Sequence, residues 1–275
     1  MSSSFLSYLD MKKMIEAVRK EGQRAVVYLP AGCMEQHGPF LPLETDSLIA
    51  EAFARDLCLE MRAKKYWGYV YPTVHYSPTR SNADFCGTVS VDEEHFRSYI
   101  RQICRSLLTS PFDAVVIVSG HGPADPSLRE IGFQLVNEQF RKGMASPTPV
   151  VVLSIADLSS QAEKQSNQKS GKHADWRELL MVYRLLGEKY FDDAMVRDIK
   201  KFKENNVFEN TGSLICGIPI ELRSTDGVIG EPVPEGEREW KLLADDMWAY
   251  LLQAVSTRLF KDIESHFSKW PPKRD

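Results

Sequence analysis

Glu35, His37 and Asp46 place two carboxylates and an imidazole on one irregular segment, Glu35-Gln36-His37-Gly38-Pro39 followed by Leu41-Pro42-Leu43-Glu44-Thr45-Asp46. Residues two apart project to the same side of an extended chain, so Glu35 and His37 point the same way. A turn through Gly38, Pro39 and Pro42 can bring Asp46 back to them. Carboxylate oxygens and imidazole nitrogens together suit Zn²⁺ or Mn²⁺. An aspartate between two such ions can bridge them, and paired ions lower the pKa of a shared water. A purely structural reading competes: Thr45 and Asp46 sit where a helix N-cap belongs.

Two further clusters carry the same residue types. Ser119-Gly120-His121-Gly122-Pro123-Ala124-Asp125 places a histidine between glycines directly after an apolar run. That is a common position for a site residue and equally one for a turn histidine. His173-Ala174-Asp175-Trp176-Arg177-Glu178 puts His173 and Glu178 five apart at a helix start. They suit a general acid/base with a supporting carboxylate, or the acidic bias of a helix N-terminus. His75, His95 and His266 match no motif and read as ordinary histidines. Cys33 and Cys86 lie beside the clusters and read as small buried hydrophobes.

The elements that must position these residues alternate. Short apolar runs at 25–29 (AVVYL), 69–71, 114–118 (AVVIV) and 150–155 (VVVLSI) read as strands. Helical periodicity covers 47–64, with Leu48, Ile49, Ala52, Phe53 and Leu57 on one face, and 91–108, starting at Asp92. It returns at 127–140, 176–186 and 240–260, and the first twenty residues read as an amphipathic helix. This alternation predicts an α/β fold, three-layer α/β/α, with a mainly parallel sheet. Ligands in such sheets sit at the carboxyl ends of strands, where the first two clusters fall. Residues 159–172 are polar and apolar-poor, predicting an exposed loop or lid, and 227–236 form a Gly/Pro-rich connector. Neither reads as a domain boundary, so a single domain over 1–275 is expected.

Composition narrows the function classes. The chain has 275 residues, 43% apolar and 26% charged, which excludes a disordered chain or a disulfide scaffold. Its net charge of −4 lacks the basic footprint of nucleic-acid binding. Five dispersed cysteines without a CxxC pair fit a reducing compartment. The start does not read as a signal peptide, and no apolar run reaches a membrane span. A cytoplasmic protein that acts on a small molecule, with neither nucleic acid nor membrane as partner, is the expectation. The P-loop and Rossmann fingerprints are missing, which argues against a nucleotide cofactor.

Taken together, the clusters resemble the creatininase (creatinine amidohydrolase) family. Residues 30–46 match its P-x-G-x-x-E-Q-H-G-P-H-L-P-L-x-T-D stretch except at Phe40, where the family has histidine. Tyr76-Ser77-Pro78-Thr79 and Phe85-Cys86-Gly87-Thr88 are similar to the Y-G-x-S and F-P-G-T pieces. The turn at 119–124 is similar to N-G-H-G-G-N, the run at 173–180 to H-A-G-x-x-E-T-S, and 226–232 to the C-terminal G-V-x-G-x-P segment. The resemblance spans roughly 25–252. It implies a two-metal hydrolase of C–N bonds on the three-layer fold, assembled as a homo-oligomer, often a hexamer. It implies one or two Zn or Mn ions per chain, with Glu35, His37, Asp46 and His121 as ligands and Asp46 as the bridge. His173 is implied as the acid/base and Glu178 as its nearby catalytic carboxylate. Thr79 is carried over as a substrate contact.

Several positions depart from the family pattern. Pro123 stands where creatinine-hydrolysing members have a metal-binding glutamate; Glu178, or else Asp125, is the expected replacement. Leu179-Leu180 replace Thr-Ser, and Lys169-Ser170 replace a Trp-Asp pair that helps hold creatinine. The leading expectation is a metal-dependent amidohydrolase that cleaves a small cyclic amide or formamide, other than creatinine, with a metal-activated water. The alternative is a catalytically reduced metal-binding relative acting in binding or assembly, which the altered turn around Pro123 favours. A phosphoesterase lacks the Arg or Lys cluster it would need beside the motif.

Overall fold

The computed structural model describes residues 6–154, 168, 173–203, 219–235 and 239–269. Helix α1 (Tyr8–Lys20) opens on a capping box between Ser7 and Asp10. It is followed by β1 (Arg24–Ala31), α2 (Thr45–Arg62), β2 (Tyr66–Val70), α3 (Glu93–Leu108), β3 (Ala114–Ser119), α4 (Asp125–Arg141) and β4 (Val150–Ser154). Then come α5 (Trp176–Leu186), α6 (Asp193–Lys201), α7 (Ile220–Arg223) and the long α8 (Trp240–Lys269).

The four strands are parallel in the order β2-β1-β3-β4. The central pair runs in register from Val26↔Ala114 to Ala31↔Ser119. Both of these strands are covered on two faces, which is why AVVYL and AVVIV are continuous rather than alternating apolar runs. On one face Val26, Tyr28, Val116 and Val118 pack against α2, α5 and α8. On the other, Val27, Leu29, Val115 and Ile117 pack against α1, α3 and α4. The expected three layers are thus present. Burying one large apolar side chain in either layer contributes roughly 1.5–3 kcal/mol.

Element ends differ from the periodicity in instructive ways. α2 begins at Thr45 rather than 47, because the polar pair Thr45-Asp46 forms its first turn. β2 begins at Tyr66, pairing Arg24↔Tyr66 through Tyr28↔Val70. α8 runs to Lys269, past its last strongly apolar stretch. Helix α6, capped by the Asp192 side chain on the Met195 N–H, buries only Ile199 and so gives little periodic signal. The 159–172 segment lies outside the described residues, apart from Gln168. Among the described residues no helix is long and apolar enough to cross a membrane.

Two glycines set the start of α2 against the sheet. A Cβ on Gly120 would overlap the Asp46 main-chain carbonyl, and one on Gly32 would overlap Ser47. These glycines follow β3 and β1, and the Gly120 N–H donates to Ala31 O at 2.8 Å. The first turn of α2 therefore lies directly over the carboxyl ends of the two central strands.

Candidate metal centre

Asp46 faces two imidazoles at once. Its Oδ1 lies 3.2 Å from His37 Nε2 and its Oδ2 lies 2.9 Å from His121 Nδ1. The N-cap position belongs to Glu44, which makes no side-chain capping bond, so Asp46 does not cap the helix. Glu35 Oε1 lies 3.1 Å from His121 Nδ1, 3.8 Å from His173 Nδ1 and 3.9 Å from His37 Nε2. Glu178, in the first turn of α5, brings Oε2 to 3.9 Å from His37 Nε2. Among the described residues, metal-capable donor atoms converge in three buried sets: Cys33, Glu35, Asp46 and His121; His37, Asp46 and Glu178; and Glu35, His37 and His173.

Main-chain carbonyls orient all three histidines. His37 Nδ1 meets Glu35 O at 3.1 Å, His121 Nε2 meets Pro78 O at 2.9 Å, and His173 Nε2 meets Gln36 O at 2.7 Å. A carbonyl only accepts, so each of these nitrogens carries the proton. In the neutral ring the other nitrogen is then a lone pair facing carboxylate oxygens, which repel it unless a positive charge lies between. A second group fixing the tautomer in this way is the usual companion of a metal-ligating histidine. His37 Nε2 is buried and makes no hydrogen bond, although three carboxylates surround it. The donor set therefore fits divalent cations.

The electrostatics agree. Burial works against charge on His37, yet Asp46 above all, with Glu178 and Glu35, pushes it up to about 10. His121 is also driven well above the usual imidazole value, with Glu35 and Asp46 overcoming burial. Glu35 is held low despite its burial, chiefly by His121. Burial pushes Glu178 up against the pull of His37. In the absence of a cation, protons supply the positive charge the carboxylates require. His173 goes the other way: burial first, and the neighbouring His37 second, lower it to about 4.

Supporting residues fix these orientations. Glu35 Oε2 accepts from Asn82 Nδ2 at 2.9 Å and from the Thr79 hydroxyl, leaving Oε1 for the cluster. Thr79, expected at the substrate, is buried and commits its hydroxyl to this bond. Gln36 Nε2 donates to Asn82 Oδ1 at 2.7 Å and to Gly227 O at 3.1 Å. His173 is pinned by paired main-chain bonds with Ile229, from the 226–232 segment. Ala174 adopts φ 53°, a left-handed conformation uncommon for alanine, and its N–H donates to Glu178 Oε2 at 2.7 Å. Asp175 caps α5 and forms a buried pair with Arg177, Oδ2 to Nη2 at 2.7 Å.

Of the sequence-predicted residues, Glu35, His37, Asp46, His121, His173 and Glu178 come together. Asp125 does not join them; it accepts from the Ser154 hydroxyl, and burial raises its pKa. Cys33 lies in the cluster, where burial pushes its thiol up to about 11, while Cys86 is exposed. Asn82 was invisible in the sequence, since nothing marks a residue that meets Glu35 from 47 positions away. Gln36 carried one signal, its place between Glu35 and His37. Lys169 and Ser170 lie outside the described residues.

A family model described as Creatininase: Creatinine amidohydrolase matches residues 11–255. A mycofactocin precursor peptide peptidase of Mycobacterium ulcerans is 33% identical over 108 residues, 38% of this chain and 42% of that protein. The match thus spans less than half the length of the peptidase. The 3-dehydro-scyllo-inosose hydrolase of Thermotoga maritima is 22% identical over 98% of this chain and 86% of its own. A crystal structure of creatinine amidohydrolase superposes with a TM-score of 0.73 at 17% identity, covering 99% of this chain and 100% of that one. Two further creatininase structures, a manganese form and a Zn-Zn type, share the fold at a TM-score of 0.72. They are 18% and 17% identical, and the superposition covers 92% of this chain and 96% and 95% of theirs.

Proposed function

The chain belongs to the creatininase family, and from that premise we propose that it is a hydrolase that cleaves the C–N bond of a small cyclic amide or formamide at a two-cation site. The observation that carries this reading is Asp46, whose two oxygens each face a different imidazole–carboxylate group. Glu35 and His121 would hold one cation with Asp46, and His37 and Glu178 the other. Bound cations supply Lewis acidity, polarising a carbonyl and lowering the pKa of water.

The chain's own groups do the rest. Thr79 and Asn82 hold Glu35 in one orientation. His173, with Nε2–H tied to Gln36 O, presents the Nδ1 lone pair to the cluster. Lowered to about 4, it is neutral at pH 7 and free to accept a proton at Nδ1. The proton comes from the water whose oxygen bonds to the carbonyl carbon; His173 passes it to the departing nitrogen as the C–N bond breaks, and the water's second proton also ends on that nitrogen, leaving a carboxylate and an ammonium group. A second reading, hydrolysis of a peptide C–N bond, is favoured by the 33% identity to the peptidase. A reducing, cytoplasmic setting fits the free thiols of Cys33, Cys58, Cys86 and Cys104. A homo-oligomer belongs to the same reading and is measured by light scattering.

The test is a panel of formamides, cyclic amides and short peptides, offered to chelator-stripped protein and to protein reloaded with Zn²⁺ or Mn²⁺. Turnover of one class that requires the cation and vanishes in Asp46→Asn supports the proposal and selects the substrate. A fully loaded protein that turns over no amide overturns it in favour of the catalytically reduced relative.

A further inference from the structure

Cys33 lies two residues before Glu35 and two after the end of β1, fully buried. Its Sγ belongs to a set with one oxygen each of Glu35 and Asp46 and one nitrogen of His121, all within 4.8 Å of one another. The thiol's hydrogen bond, to Ser77 O at 3.7 Å, is long and weak. A second observation points to an ion here: His37 Nε2, buried and without a hydrogen bond, faces Asp46 Oδ1 at 3.2 Å and Glu35 Oε1 at 3.9 Å. His121 is tied through Nε2–H to Pro78 O, so the Nδ1 lone pair is aimed at the same two carboxylates.

One sulfur, one nitrogen and two oxygens are a donor set that suits zinc, which can expand to a fifth, open position for water or substrate. We propose that Cys33 is a thiolate ligand of the cation held by Glu35, Asp46 and His121, and that it biases this position toward zinc over manganese. Thiolates favour the softer ion, while carboxylate and water suit manganese. A coordinating thiol loses its proton outright, and that proton leaves to solvent as the ion enters. The position on the far side of Asp46, with His37 and Glu178, has nitrogen and oxygen donors and lacks this bias. The inference rests on the two-cation reading and adds a ligand to it.

The experiment loads the full chain with Co²⁺ and records its absorption. A near-ultraviolet sulfur-to-cobalt charge-transfer band that Cys33→Ser removes, while the visible cobalt bands remain, supports the proposal. The zinc-over-manganese preference, read by competition, should fall by roughly tenfold or more in that variant. Cobalt bound without the charge-transfer band, or with a band that survives Cys33→Ser, overturns the thiolate ligand and leaves the two-cation reading standing. A chain that binds no cobalt, zinc or manganese overturns both. If Cys33→Ser does not fold, zinc X-ray absorption on the Cys86→Ser/Cys216→Ser protein decides, since Cys86 is the exposed thiol among the described residues and Cys216 lies outside them. A sulfur at about 2.3 Å is then required, and a nitrogen/oxygen shell alone contradicts the proposal.

Discussion

At the scale of single residues, the site is built from imidazoles whose spare nitrogens face carboxylates. His37 and Glu178 lie on one side of Asp46, Glu35 and His121 on the other. Removing one side should therefore empty one position only. His37→Ala and His121→Ala are each expected to retain about one cation per chain, and Asp46→Ala to deplete both, read by elemental analysis. Full metal in Asp46→Ala would contradict the bridging role. His173→Ala is expected to lower turnover by roughly two to four orders of magnitude with metal content nearly unchanged; loss of metal instead would make His173 a ligand. Loading should also release protons. Without a cation the neighbouring carboxylates overcome burial and push His37 up to about 10, so it is charged at pH 7.5, and they drive His121 in the same direction. A ligating imidazole is neutral and a ligating thiol is deprotonated, so binding should release protons from His37, His121 and Cys33 and weaken as pH falls. Calorimetry in buffers of different ionisation enthalpy measures this, and a buffer-independent heat would contradict it. Glu35, His37 and Asp46 were legible because they share one short segment with donor-type spacing, whereas His121 and Glu178 became candidate ligands only through the family resemblance of their motifs. Asn82 and Thr79 act through Glu35 from a distant loop, and that meeting is created only by the fold.

At the scale of elements, the central pair β1 and β3 sets the site, and the first turn of α2 is laid across their ends. The sequence showed these strands plainly because burial on both faces forces unbroken apolar runs. It showed the helices through their one-sided periodicity, most clearly α3, whose Phe96, Ile100, Cys104 and Leu107 are buried. It did not show α6 or the four-residue α7, which bury too little to impose a pattern. The close approach of Gly120 to the Asp46 carbonyl makes this junction testable. Gly120→Ala is expected to destabilise the chain by about 1–3 kcal/mol in urea unfolding, as overpacking does. It should weaken metal retention as well, because the added carbon pushes Asp46 off the strand ends. Unchanged stability and unchanged metal would show that the first turn of α2 is not held by this contact.

At the scale of the whole molecule, two hydrophobic layers enclose a parallel sheet, and one end of that sheet gathers three buried carboxylates and three histidines. Such a concentration of buried charge, with Arg177 the neighbouring guanidinium that acts on Glu178, is costly unless cations share the space. The buried Arg177 also pairs with Asp175, Nη2 to Oδ2 at 2.7 Å. The fold therefore makes sense as a scaffold for metal, and the central claim is that two cations flank Asp46. Anomalous diffraction from crystals of the zinc-loaded protein tests it most directly. The account predicts two peaks on either side of Asp46, one beside Glu35 and His121 and the other beside His37 and Glu178. Ligand oxygens and nitrogens should lie at about 2.0–2.2 Å. A single peak, or peaks remote from Asp46 in fully loaded crystals, would contradict it.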